Sequence, residues 1–176
     1  MNFVPECYFD TVLVKMILRV KKVNHQKGCP TVVNEMRKSK LLKDDFAVGI
    51  IDKDKKELDY INNNFHCEIT SNNLMLWKHK NKQHYIIQII PAIEKWILLV
   101  AGEGKINITD FGLSEDLDRL SKLTKTDRVD EDPFLISFCH RLINSDSRTM
   151  RTLTLWLTYL FEHNRNADIK VLKQHV

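Results

Sequence analysis

The chain has 176 residues, which suits one domain and is too short for two independent cores. Apolar residues make up 43% of it, which excludes a largely disordered chain, and 27 Lys and Arg against 23 Asp and Glu leave a formal charge of +4. So small an excess permits contact with a polyanion without announcing one.

Residues 2 to 5, apolar from Phe3 on, are read as a short run ending at Glu6, which predicts a brief buried strand. From Phe9 the period changes. Phe9, Val12, Leu13, Met16, Ile17 and Val20 recur at spacings of three and four, the stripe of an amphipathic helix. Lys22 to His25 is read as a short second strand. Gly28 and Pro30 punctuate the chain, and Thr31 to Lys38 then reads as a helix with Val32, Val33 and Met36 inward. Phe46 to Ile51 is apolar without alternation, as expected of a strand covered on both faces in a parallel sheet. The resulting β-α-β-α-β order predicts a doubly wound arrangement with right-handed crossovers.

Lys55 to Ile61 is read as a short helix. Leu74 to Trp77 and Tyr85 to Ile90 flank the polar tip KHKNKQ, either as a hairpin or as two sequential strands. Pro91 opens a helix through Ala101, which Gly102 and Gly104 end. Helices are then expected over Ser114 to Leu123, Asp132 to Ile143 and Ser147 to His163. The last of these, with Trp156, Tyr159 and Phe161, is too apolar to be left in water and is either a cover for the sheet or a homo-oligomer surface. The fold class expected is α/β, Rossmann-like, with a mostly parallel central sheet over residues 1–104 and a helical C-terminal part over 105–176 packed on it.

Cys7, Cys29, Cys67 and Cys139 form no C-x-x-C pair, so neither a zinc site nor a disulfide framework is indicated. No apolar stretch approaches the roughly 20 residues that span a bilayer. The opening MNFVPECYFD carries acidic residues where a signal peptide would be basic and apolar. A cytoplasmic protein without a membrane partner is expected.

In an open α/β sheet, ligands sit beyond the carboxyl ends of the strands, where strand order reverses. Glu6 ends the first strand and Asp52 follows Ile51 at the end of the apolar one. If those strands are neighbours, the two carboxylates share one crevice. Asp54 projects to the same side as Asp52 in an extended segment, and Asp10 lies one helical turn past Glu6. Carboxylates this close raise each other's pKa, a conflict that Mg²⁺ or Mn²⁺ removes. Such residues also occur as solvated turn or helix-start residues, which is the competing reading.

At these positions the sequence resembles the Toprim fold of topoisomerases, primases and nucleases. That pattern has a glutamate after its first strand and Asp-x-Asp after its third, here Glu6 and Asp52-Lys53-Asp54. The overcoming-lysogenization-defect nucleases and the small ribosomal-RNA maturases carry Glu-Gly-x-x-Asp at the first site, and Glu6 to Asp10 is similar, with Cys7 where the family prefers glycine. The resemblance spans roughly residues 1 to 100. It implies Mg²⁺ or Mn²⁺ held by Glu6, Asp52 and Asp54, chemistry on DNA or RNA phosphodiesters, and a setting in phage defence beside an ATPase. The chain has no Walker loop, so that ATPase would be a separate chain. Some Toprim nucleases take another acidic ligand from a later segment. Glu94 is the candidate for it, and it reads equally as a first-turn glutamate.

On this view Asp10 and Glu94 complete the metal shell or act as base. Substrate phosphates would meet His25 and Lys27 after the second strand, Lys53, Lys55 and Lys56 among the aspartates, and Lys78, Lys80 and Lys82 at the hairpin tip. His25 is also a candidate general acid. Arg148 and Arg151 are read as a surface or partner face. Three functions follow: a metal-dependent nuclease or other phosphoryl-transfer enzyme, a non-catalytic Toprim-like module serving a partner, and a phosphate-receiver-like domain. The last of these needs a late strand-end lysine and leaves Glu6 unexplained.

Overall fold

Phe3–Pro5 forms β1, and all three residues are buried. The chain turns at Cys7, whose thiol accepts the Asp10 N–H at 3.3 Å and caps α1, Tyr8–Leu18. A sulfur stands here where an oxygen of Ser, Thr, Asp or Asn usually accepts that bond. The Cys7 backbone is extended, with φ −121, so nothing in its conformation calls for glycine. The computed structural model describes residues 2–53, 59–126 and 131–174. Within them follow α2 (Cys29–Lys38), β2 (Ala47–Asp52), α3 (Asp59–Asn64), β3 (Phe65–Ser71), β4 (Leu74–His79) and β5 (His84–Ile89). The later helices are α4 (Ile93–Glu103), α5 (Leu117–Thr124), α6 (Pro133–Ile143), α7 (Arg148–His163) and α8 (Ile169–Lys173).

The five strands form one sheet in the order β1-β2-β5-β4-β3. β2 pairs in parallel with both β1 and β5, while β4 pairs antiparallel with β5 and with β3. The class is α/β, but the sheet is mixed where a mostly parallel one was expected. Hairpins make the difference. Asn72 and Asn73, at φ 46 and 60, form the two-residue turn from β3 to β4, a conformation asparagine tolerates better than most residues. The chain around KHKNKQ returns as the second hairpin, from β4 to β5.

Lys22 to His25 is not a strand. It nevertheless runs along the free edge of β1, where the Asn24 N–H donates to Phe3 O and the Gln26 N–H to Pro5 O, each at 3.0 Å. The chain therefore leaves β1 through α1 to one side and returns through α2 to β2 on the other. The switch point expected of a doubly wound sheet lies between β1 and β2.

Alternate side chains of the strands feed two cores. Phe3, Val48, Ile50, Tyr85 and Ile87 pack with Leu13, Trp96, Phe138 and Trp156 on one face. Val4, Ala47, Ile51 and Ile86 pack with Val32, Val33 and Met36 of α2 on the other. Burial on both faces explains why Phe46 to Ile51 shows no polar alternation. The apolar α7 is a cover: it packs on α1, α4 and β4, and Trp156 is fully buried. Its Phe161 stays partly exposed against the ring of Phe3. Residues on both sides of position 104 contribute to this core.

Glu103, the last residue of α4, fastens that cover. Its carboxylate accepts the Ser147 hydroxyl at 2.6 Å, the Thr149 N–H at 3.0 Å and the Thr149 hydroxyl at 2.9 Å. Burial pushes its carboxyl up, but these bonds outweigh burial and the pKa falls below the ordinary value. Glu103→Ala should lower stability by about 1–2 kcal/mol, the worth of a helix cap, or about 2–8 °C in a thermal melt. A folded pKa below the unfolded one means this contribution is present above about pH 4.5 and is lost as pH falls through the folded value. Melts of wild type and variant should therefore converge in acid.

Candidate active site

Glu6 follows β1 and Asp52 closes β2, and the two tips touch: the Asp52 N–H donates to Glu6 Oε2 at 2.9 Å. Asp52 Oδ2 in turn accepts the N–H of Ile93 at 3.1 Å, the first residue of α4. Asp10 sits in the first turn of α1 and is 1% exposed. Neither of its carboxylate oxygens has a hydrogen-bond partner, and Asp52 Oδ1 is likewise buried and unpartnered. Behind them Glu94 is buried in the first turn of α4 and accepts the Thr124 hydroxyl at 3.3 Å.

These four carboxylates feel one another. Burial pushes Asp52 up to about 9, helped by the charges of Asp10, Glu6 and Glu94 and opposed by the Ile93 N–H. Burial also pushes Asp10 up to about 7. The Cys7 thiol and N–H lie close enough to favour the charged form, without hydrogen-bond geometry, and oppose that rise, while Glu6 and Glu94 add to it. The Cys7 thiol itself is raised, first by burial and then by Asp10. Polar groups held this way, desolvated and without partners, are costly.

A cavity of about 290 Å³ opens on the cluster, lined by Glu6 and Asp52 and also by Tyr8, His25, Lys27 and Lys125. His25 and Lys27 are thus brought to the carboxylates, from a segment along the free edge of β1 that is not the strand expected there. Lys53 is exposed, its N–H tied to Ile89 O at 2.8 Å, and it does not line the cavity. Asp54, Lys55 and Lys56 lie outside the described residues. The hairpin lysines belong to another place. β5 runs parallel to β2 with Ala47 opposite His84 and Asp52 opposite Ile89, so Lys78, Lys80 and Lys82 sit at the opposite end of the strands. There Lys80 Nζ bonds Asn63 O and Lys82 Nζ bonds Lys43 O. Arg151 pairs with Asp146 on the surface.

No family model, curated protein or solved structure matches the chain. Its chemistry has to be argued from the side chains themselves. Among the described residues no group of three or more His, Cys, Asp or Glu side chains is arranged to hold a metal ion as it stands. Glu6 and Asp52 each commit one oxygen to a backbone N–H. The donor chemistry nonetheless fits a hard cation: the carboxylate oxygens Asp10 Oδ1 and Oδ2 and Asp52 Oδ1 are buried without partners. Among the described residues no helix is long and apolar enough to cross a membrane.

Several participants were not foreseen from the sequence. Lys125 caps the C-terminus of α5 and lines the cavity, on a helix that packs on α4 and is joined to it by the Thr124–Glu94 bond. The Ile93 N–H is a backbone group, and Tyr8 and Thr11 carry no motif.

Proposed function

We propose that this chain is a Mg²⁺- or Mn²⁺-dependent enzyme of the Toprim type that cleaves nucleic-acid phosphodiesters. The observation that carries the reading is Asp10, buried with both carboxylate oxygens unpartnered beside the joined tips of β1 and β2. A buried bare carboxylate next to two others is unfavourable alone and favourable around a cation. Glu6, Asp10 and Asp52 would hold that ion, with Glu94 behind them. When bound, it would neutralise charge on the phosphate and acidify a water. Lys27 and Lys125 at the cavity wall offer positive charge to the substrate backbone. A receiver-like reading has less support, since β5 ends in Ile89, Ile90 and Pro91 without the strand-end lysine it needs.

Titration calorimetry with Mn²⁺ and Mg²⁺ tests the first half: wild type should bind at least one ion, and Asp52→Ala should show no heat of binding. Incubation with single-stranded, duplex and structured DNA and RNA tests the second half. Metal binding without cleavage of any of them would favour a non-catalytic module serving a partner. An Asp52→Ala chain that binds Mn²⁺ like wild type would sink the site.

A further inference from the structure

Residues along the free edge of β1 alternate in direction. Asn24 and Gln26 bond each other on one side, with Asn24 Nδ2 donating to Glu35 Oε1 at 2.9 Å. His25 and Lys27 line the cavity on the other. The His25 ring stacks on Tyr8, with centroids 4.2 Å apart and 24° between planes. Its Nδ1 lies 2.9 Å from Thr11 Oγ1. Thr11 has one hydroxyl proton and donates it to the Cys7 carbonyl at 2.8 Å. Oγ1 is thereby an acceptor towards the imidazole, and Nδ1 carries the proton of the neutral ring. The lone pair is left on Nε2, which is buried and has no hydrogen-bond partner. The ring is fixed, its tautomer is fixed, and the side chain that carries this buried free acceptor lines the carboxylate cavity.

We propose that His25 Nε2 is the general base of this site, taking the proton of the water that attacks the phosphodiester, with Thr11 as the positioning residue that sets its tautomer. The proposal rests on the phosphodiester reading above. In the step, a water O–H bond breaks and its proton passes to Nε2, while the water oxygen forms the new P–O bond. The P–O bond to the leaving oxygen breaks with its electron pair on that oxygen, which takes a proton from solvent. The imidazolium keeps its Nδ1–H on Thr11 and returns its extra proton to solvent. Before the step the ring is neutral near pH 7, because burial and then the charge of Lys27 lower its pKa, with Lys15 of α1 acting in the same sense. The other groups facing it are Tyr8 and Cys7 at the start of α1, and Glu6, Asp52 and Lys125 around the cavity.

The test has two independent readouts on the full chain. Long-range ¹H–¹⁵N spectra of His25 should place the neutral ring's proton on Nδ1; a proton on Nε2 overturns the proposal whatever the cleavage data. Cleavage of DNA and RNA in Mn²⁺ should fall about 10²–10³-fold in His25→Ala, the usual worth of a general base, and lose the acidic limb below about pH 6.5. Added imidazole should restore His25→Ala but not His25→Gln, whose side chain fills the space without a basic nitrogen. Thr11→Val should lose about tenfold and keep the limb. Wild-type rate and limb in His25→Ala would overturn the base role and leave the phosphodiester reading standing. A wild type that cleaves no nucleic acid overturns that reading and the base role together, even with the proton on Nδ1.

Discussion

Without divalent cation and near neutral pH, Asp52→Asn should melt about 2–8 °C above wild type, the shift that ~1–2 kcal/mol produces in a chain of this length. The same variant should gain nothing from added Mn²⁺ and should cleave at least about 10³-fold more slowly, the rate equivalent of ~4 kcal/mol of lost charge stabilisation. Opposite signs on stability and activity are the mark of a site whose charges oppose folding and await a ligand. Asparagine keeps the oxygen that accepts the Ile93 N–H and replaces the other by an amide donor facing Asp10. The bond is kept and the neutral amide relieves the cluster. A variant that melts below wild type without metal would mean that the carboxylates are satisfied as they stand.

The pH dependence follows from proton counts. Asp10 and Asp52, raised to about 7 and about 9, hold protons in the folded chain that an unfolded chain has released above about pH 4. Where the folded state binds more protons, stability falls as pH rises. This contribution is fully present below about pH 4 and is lost as pH climbs through 7 and then 9. Thermal melts of the metal-free wild type should show that decline, and Asp52→Asn should flatten it.

The strand Phe46 to Ile51 was legible because burial on both faces leaves an unbroken apolar run, and its end pointed directly to Asp52. Glu6 and Asp10 were legible for a related reason: a strand three residues long, passing at once into a helix, holds few positions where an acid can sit beside the sheet. β3 was not. Only Phe65 and Ile69 of its residues are buried, so the sequence shows no apolar run there, and the Asn72-Asn73 turn that betrays it is a turn signal rather than a strand signal. The edge beside β1 has the opposite defect. Lys22 to His25 lies where a second strand belongs, yet of its residues only Val23 packs on the core and only Asn24 bonds β1 through its N–H. Lys125 was out of reach altogether, because its place depends on a tertiary contact between α4 and α5.

Gly49→Val should destabilise the chain by about 1–3 kcal/mol, the cost of overfilling a packed core. α2 lies flush on β2 only because Gly49 has no side chain: a Cβ there would come within 2.9 Å of Met36 Sδ and 3.1 Å of Val32 Cγ1. Gly49→Ala should cost less, since the flexible thioether of Met36 can swing aside and only Val32 must give. Valine adds two methyls that cannot both be accommodated. Val32→Ala costs stability alone, but in the Gly49→Val background it removes the methyl that obstructs. The two substitutions should therefore couple favourably by more than about 0.5 kcal/mol in denaturant melts. Function should follow packing here, because β2 ends in Asp52 and α2 begins beside Gly28 on the cavity wall. Gly49→Val should weaken Mn²⁺ binding at a temperature where the chain is still folded, and the double variant should recover part of it. Unchanged binding in Gly49→Val would show that the carboxylates are held by their strand tips and α4 alone, independent of how α2 is seated.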